Sequence, residues 1–104
     1  MALFGSVSGK QVDEFAKTLA QELAKRYPAA LDKGGARRIS QKRMTAILED
    51  TCNRALEFKK QHQLGVYKKA RLGNTFRWEL QEMGYSDGFI ETATEALIVY
   101  VTRT

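Results

Sequence analysis

Between Ser8 and Pro28, the apolar residues of this chain recur at the spacing of one face of an α-helix. The i, i+3, i+4 and i+7 positions are occupied by Val12, Phe15, Ala16, Leu19, Ala20, Leu23, Ala24 and Tyr27. Ser8 followed by Gln11 is typical of a capping box, which satisfies backbone donors at the start of a helix. Pro28 ends the helix, because the residue before a proline disfavours helical geometry. The sequence therefore predicts a helix over 9–27.

The remainder of the chain is also helical in pattern. Ser40 is a predicted N-cap, and the apolar stripe that follows it stops before Gly65, which we expect to adopt a left-handed conformation. Gly73 and Gly84 then bracket two short segments, with Asn74 at the N-cap position of the second. The predicted helices after the first cover 41–63, 66–72, 75–83 and 87–102.

These elements predict an all-α fold, a single-domain bundle of about five helices over 1–104, in which residues 1–8 form a flexible N-terminus. A chain of 104 residues can bury one core without disulfides or metal. It has one cysteine, no signal-peptide pattern, and no apolar run near the roughly 20 residues that a membrane span requires. We therefore expect a cytoplasmic protein without membrane contact.

Charge is segregated along the chain. Residues 33–78 contain twelve Lys and Arg against three carboxylates, whereas 79–104 contain five carboxylates and one arginine. The first 32 residues are balanced, with four charges of each sign. The net charge of +5 is thus a basic middle segment partly offset by an acidic end. Such segregation is an indication about partners, and here it favours an anionic one.

The first basic cluster surrounds the predicted start of the second helix. It consists of Lys33, Arg37, Arg38, Lys42 and Arg43. The connection over 28–39 that leads into this helix is predicted to be a flexible basic loop. Cations at a helix N-terminus oppose the macrodipole, so the cluster is unfavourable unless something negative offsets it. Two interpretations stay open: contact with phosphate or nucleic acid, or neutralisation within the fold by the acidic last helix.

The second basic cluster is interleaved with aromatic residues. It consists of Lys59, Lys60, Lys68, Lys69, Arg71 and Arg77, with Tyr67, Phe76 and Trp78 between them. Lysine and arginine attract phosphates and aromatic rings stack on exposed bases, so the mixture is typical of a single-stranded nucleic-acid surface. In a domain of this size we expect Trp78 to be buried under a neighbouring helix or loop. The alternative is an exposed anchor at a binding surface.

No pattern in the chain predicts catalysis. Cys52 and His62 are the only residues of their kinds, and they lie ten residues apart on one predicted helix. That is about 15 Å along the helix axis, too far for a thiol and its base to share a proton. One Cys and one His leave only carboxylates to complete a transition-metal site. We therefore predict no enzyme, catalytic residue, cofactor or metal, and structural roles for both residues.

The sequence favours a small non-catalytic binding module that holds an anionic partner, nucleic acid or an acidic protein surface, through residues 33–78. The residues predicted to contact this partner are Lys33, Arg37, Arg38, Lys42, Arg43, Lys68, Lys69, Arg71 and Arg77. Tyr67 and Trp78 are candidates for stacking on bases. The alternative is a protein-interaction or homo-oligomeric module, in which Trp78 and Ile98, on the acidic side of the last helix, pack against another protein or a second copy.

Overall fold

The computed structural model describes residues 7–34 and 39–103, the side chains of residues 33 and 34 excepted. Its helices are α1 Gly9–Arg26, α2 Ala29–Gly34, α3 Gln41–His62, α4 Val66–Met83 and α5 Asp87–Thr102. The described residues contain no strand, and the predicted all-α class is confirmed. None of these helices is both long enough and apolar enough to span a membrane.

Helix α1 begins and ends as its sequence predicts. The Ser8 hydroxyl accepts a hydrogen bond from the backbone N–H of Gln11 (3.1 Å), and the Ser8 N–H donates to the Gln11 side chain (2.9 Å). Tyr27, directly before the proline, has left helical geometry at φ −141° and ψ 81°. Of the predicted flexible N-terminus, residues 1–6 lie outside the described part of the chain. Val7 is buried in the core.

The prediction of a loop over 28–39 is wrong for residues 29–34, which form the short helix α2. Proline is tolerated in a first helical turn, and the Pro28 carbonyl accepts from the N–H of Leu31 (2.9 Å). The Asp32 carboxylate fixes the helix by accepting hydrogen bonds from the Tyr27 hydroxyl (2.9 Å) and the Ser86 N–H (2.7 Å). Residues 35–38 lie outside the described residues.

The four long helices form a bundle around one core. In cyclic order they are α1, α4, α5 and α3, so each packs against two neighbours, and α1 packs most extensively against α4. The consecutive helices α3 and α4 lie diagonally opposite one another, with little mutual contact. Side chains from every long helix meet in the core, including Leu19, Ile47, Phe76 and Leu97, each at most 1% exposed.

Polar contacts define the directions of the helices. Ion pairs from Arg26 to Asp50 (2.7 Å) and from Arg54 to Glu22 join α1 to α3, whose chains run in opposite directions. Helix α4 runs parallel to α1, because the Tyr85 hydroxyl just after α4 donates to a backbone carbonyl just after α1. The starts of α1 and α4 therefore lie at the same end of the bundle as the ends of α3 and α5.

The prediction of two short helices at 66–72 and 75–83 is wrong, because residues 66–83 form one continuous helix, α4. Gly73 is buried where α5 crosses α4, and a Cβ atom at this position would overlap Ile98 Cδ1. The glycine therefore serves the close approach of two helices and does not interrupt either one. Ile98, for which the sequence predicts packing against a second molecule, is half-buried and lies against Gly73 of α4 within the fold. Its contact with another molecule stays a prediction.

The left-handed residue after α3 is Gln63 (φ 50°), and the prediction of Gly65 is wrong. Leu64 is buried, and its N–H donates to the Lys59 carbonyl (3.3 Å). Because Leu64 enters the core directly after the helix, the chain must turn one residue earlier. Gly65 instead takes an extended conformation as the N-cap of α4. The predicted start of α5 is confirmed by the hydroxyl of Ser86, which accepts from the N–H of Phe89 (3.3 Å).

Replacing Gly73 by leucine tests the contact between α4 and α5. We expect Gly73→Leu to lower the free energy of unfolding by about 2 kcal/mol, although leucine has the higher helix propensity. The second change Ile98→Ala should recover part of this loss, because it removes the overlapping atoms. Ala70→Leu, at an exposed position on the same helix, is the control. Urea denaturation compares these three variants with the unchanged protein, and equal stability of Gly73→Leu and the control contradicts the crossing.

Thr94 offers a test of core packing. Its hydroxyl oxygen is buried and has no hydrogen-bond partner among the described residues. Thr94→Val should raise the free energy of unfolding by about 1 kcal/mol, because it removes an unsatisfied polar group with little change of shape. Thr92→Val, exposed on the same helix, should change stability little. Thermal unfolding compares the two variants, and destabilisation by Thr94→Val would contradict the expectation.

Candidate functional site

One end of the bundle is cationic. It comprises residues 8–12, 59–69 and 99–103, which we call the cationic end. Its charged side chains are Lys10, Lys59, Lys60, Lys68, Lys69 and Arg103. These three segments contain no carboxylate. The adjacent Asp13 and Glu57 face other surfaces, since Asp13 pairs with Arg71 and Glu57 lines a depression between α1 and α3. No acidic group in these segments offsets the six cations.

Four helix termini meet at this end, the starts of α1 and α4 and the ends of α3 and α5, so their dipoles largely offset one another. Lys59 and Lys60 lie in the last turn of α3, where cations are favoured by the macrodipole. Lys68 and Lys69 follow the start of α4, where cations are disfavoured. Helix α4 also begins without a side-chain cap and without an acidic residue in its first turn. An anion at this end is therefore attracted mainly by the side-chain charges.

Tyr67 directly precedes Lys68 and Lys69 in the first turn of α4. Tyr67 is 68% exposed, and its neighbour Val66 is 84% exposed. The Tyr67 hydroxyl accepts a hydrogen bond from Arg71 Nη1 (3.2 Å), which holds the side chain along the outer side of α4. The structure thus places an exposed aromatic ring within a cationic surface, as the sequence pattern of the second cluster indicated.

Arg71 is engaged within the fold. Its Nε and Nη2 donate to the two oxygens of Asp13 (2.9 and 2.7 Å), and the Thr75 hydroxyl donates to the same carboxylate (2.9 Å). The guanidinium also lies against Gly9 in the first turn of α1. These hydrogen bonds from Arg71 hold the pKa of Asp13 below its usual value, although partial desolvation opposes the shift. Asp13 consequently offsets the charge of Arg71.

Trp78 is exposed, and the expectation that it is buried is wrong. More than half of its surface (57%) is accessible, because Phe76 and Leu80 occupy the inner side of α4 and Trp78 projects from the outer side. Tyr67, Arg71, Asn74 and Trp78 lie on this outer side at helical spacing. Beside them, α1 and α4 enclose two adjoining depressions of about 570 and 430 Å³ that share Asp13, Asn74 and Thr75.

The first basic cluster lies elsewhere. Lys42 and Arg43 are exposed at the start of α3, and Lys42 is 17 residues from Lys59, or roughly 25 Å along the helix. Arg37, Arg38 and the side chain of Lys33 lie outside the described residues. The described members of the first cluster therefore lie at the opposite end of the bundle from Lys59, Lys60, Lys68 and Lys69. Arg77 lies in the second half of α4, outside the cationic end.

The acidic last helix forms no ion pair with either cluster in the described part of the chain. The ion pairs there are Arg26 with Asp50, Arg54 with Glu22, and Arg71 with Asp13. Each of them joins α1 to another helix. Glu91 and Glu95 of α5 are exposed. Of the two interpretations of the first cluster, neutralisation by α5 gains no support from these contacts.

The fold adds two cations that the sequence pattern did not indicate. Lys10 belongs to a charge-balanced segment and Arg103 to an acidic one, so neither belongs to a basic run. Both lie at helix ends, and the bundle topology brings these ends to the lysines of α3 and α4. Lys59 Nζ donates to the Arg103 carbonyl (3.4 Å), and the Arg103 guanidinium lies 5.9 Å from the ring centroid of Tyr100.

Cys52 and His62 occupy structural positions. Cys52 is 1% exposed, and burial raises the pKa of its thiol to about 11. His62 is half-buried, with its ring 4.6 Å from the ring of Phe58. Within the described ranges, no group of three or more His, Cys, Asp or Glu residues is arranged to hold a metal ion.

The pairing of Asp13 with Arg71 predicts a pH dependence. The pKa of Asp13 is lower in the folded protein than in the unfolded chain, where it is about 3.9. The stability that the ionised carboxylate gives the fold is therefore complete above the unfolded pKa, and it is lost as pH falls through the folded pKa. The difference in unfolding free energy between the unchanged protein and Asp13→Asn should therefore shrink below about pH 4. Urea denaturation across pH measures it, with Glu14→Gln as the exposed control. A difference that is constant down to the lowest accessible pH would contradict the pairing.

Comparison with known proteins finds no matching family model, no matching curated protein and no matching solved structure. The functional interpretation of this surface therefore rests on the geometry described above.

Proposed function

We propose that this chain is a small non-catalytic module that binds nucleic acid through the cationic end. The observation that supports the proposal is a set of six cations, without a carboxylate in their segments, around the uncapped start of α4. A polyanion that approaches this end is attracted mainly by the six side-chain charges.

The lysines form a surface that suits a chain of phosphates. Lys59 and Lys60 precede the three-residue connection between α3 and α4, and Lys68 and Lys69 follow it closely. Four cations are thus grouped over a short stretch of surface, and phosphates that bind there release counterions, which favours association at low salt. Cations spaced in this way fit a repeating phosphate backbone without requiring a particular sequence.

Tyr67 favours nucleic acid over an acidic protein surface. A carboxylate-rich partner needs only the lysines, whereas a nucleic acid also offers flat bases to an exposed ring. Tyr67 is 68% exposed beside Lys68 and Lys69, so charge and stacking are available at one place. Lys42 and Arg43, at the far end of α3, are outside the proposed surface.

A second candidate function is protein interaction through the outer side of α4. The observation that favours it is the exposure of Trp78, since large aromatic side chains are frequent energetic centres of protein interfaces. Binding of this kind depends on apolar contact and therefore weakens little with salt. The two functions are distinguished by the salt dependence of the interaction.

Charge-removing variants test the proposal. Lys68→Gln with Lys69→Gln should weaken binding to an oligonucleotide and reduce the slope of log affinity against log salt by about two. The matched control is Lys25→Gln with Lys42→Gln, which has the same net charge but changes exposed residues away from the cationic end. Fluorescence anisotropy of a labelled oligonucleotide across salt concentrations measures both, and circular dichroism checks folding.

Two results would overturn the proposed function. One is the absence of binding to any DNA or RNA pool at low salt. The other is equal weakening by the matched control, which would show that net charge alone determines the affinity.

A further inference from the structure

We infer that the nucleic acid is single-stranded and that it follows the groove between α1 and α4, from Tyr67 at the cationic end to Trp78. This inference rests on the proposed function and specifies its partner. Its basis is the position of two exposed aromatic rings on one side of α4, with two adjoining depressions between them.

The two rings are arranged as a pair of stacking sites. Tyr67 and Trp78 are eleven residues apart, close to three full turns, so they point to the same side at a separation of roughly 16 Å along the axis. They are 68% and 57% exposed. At the 3.4 Å spacing of stacked bases, this separation corresponds to roughly five nucleotides. A strand that reaches both rings must therefore be longer than a few nucleotides.

The groove between the rings suits bases better than phosphates. Arg71 and Asp13 neutralise each other in its floor, and the Thr75 hydroxyl is bonded to the same carboxylate. Asn74 is exposed beside them, and its amide provides both a donor and an acceptor for base edges. The two depressions share these residues, so the groove is continuous from Tyr67 to Trp78.

The electrostatic attraction for the strand decreases along the groove from Tyr67 to Trp78. Lys10 and Lys17 line the depression next to Trp78, but Glu14 and Glu79 line it as well. The Trp78 end is thus close to neutral, whereas the Tyr67 end adjoins the cationic end. Phosphates are therefore attracted first near Tyr67, and contact with Trp78 depends on stacking.

A duplex fits this surface less well than a single strand. Its bases are stacked inside the helix, so its phosphates can contact the lysines while the two rings find no free base face. We therefore expect duplex DNA to bind the cationic end alone, with affinity that depends on salt but not on Trp78.

The intrinsic fluorescence of Trp78 provides the test, because the chain contains no other tryptophan. At low salt, an oligothymidylate of about twelve nucleotides should quench the emission, whereas one of about three nucleotides and a duplex of about twelve base pairs should bind with little quenching. Anisotropy of the labelled oligonucleotides measures binding independently of the quenching.

A substitution supplies a second readout. Trp78→Ala should weaken binding of the long strand by about tenfold or more and leave binding of the short strand and the duplex unchanged. Thr92→Ala, which shortens an exposed side chain of α5 away from the cationic end, is the control and should have no effect.

The possible failures are distinguishable. Absence of binding by all three nucleic acids at low salt overturns the proposed function together with this inference. Binding of the long strand with unchanged Trp78 emission, or equal quenching by the duplex, overturns the inference alone.

Discussion

The close contact between α4 and α5 at Gly73 determines which side of α4 reaches solvent. A Cβ atom at this position would overlap the Ile98 side chain, so this side chain of α5 lies against the α4 backbone at Gly73. Helix α1 packs against the adjacent side, with Arg71 bound to Asp13. One side of α4 is left uncovered, and it contains Trp78. The exposure of this tryptophan is therefore a consequence of how the core is packed, since α4 already meets two neighbours.

The sequence predicts those features of the fold that depend on residues close in the chain. The capping box at Ser8 and the continuous α5 follow from local spacing, and both are confirmed. The prediction of a helix break at Gly73 is wrong. The sequence around a glycine that ends a helix does not differ from the sequence around one that contacts a second helix. Ile98, which distinguishes them, is 25 residues away. The left-handed turn at Gln63 was missed for a similar reason, since it depends on the burial of Leu64.

The candidate site was predictable only where its residues are contiguous. The lysines from 59 to 69 are close in the chain, and the structure keeps them together. Lys10 and Arg103 join them through bundle topology, for which the sequence contains no local signal. The sequence likewise contains no local signal that Asp13 offsets the charge of Arg71, since the two residues are 58 positions apart. Helical spacing places Trp78 on the side of α4 opposite Phe76 and Leu80, but whether another helix covers that side depends on the order of helices around the core.

The distribution of carboxylates explains why the net charge of +5 understates the local field. Partly exposed ion pairs of this kind contribute little stability, yet they engage Asp13, Glu22 and Asp50 with arginines, and none of these carboxylates belongs to the segments of the cationic end. Glu95 is eight residues before Arg103, or roughly 12 Å along α5. At physiological ionic strength the screening length is about 8 Å. A polyanion at the cationic end therefore interacts mainly with the six nearby cations, and the carboxylates of α5 are largely screened from it.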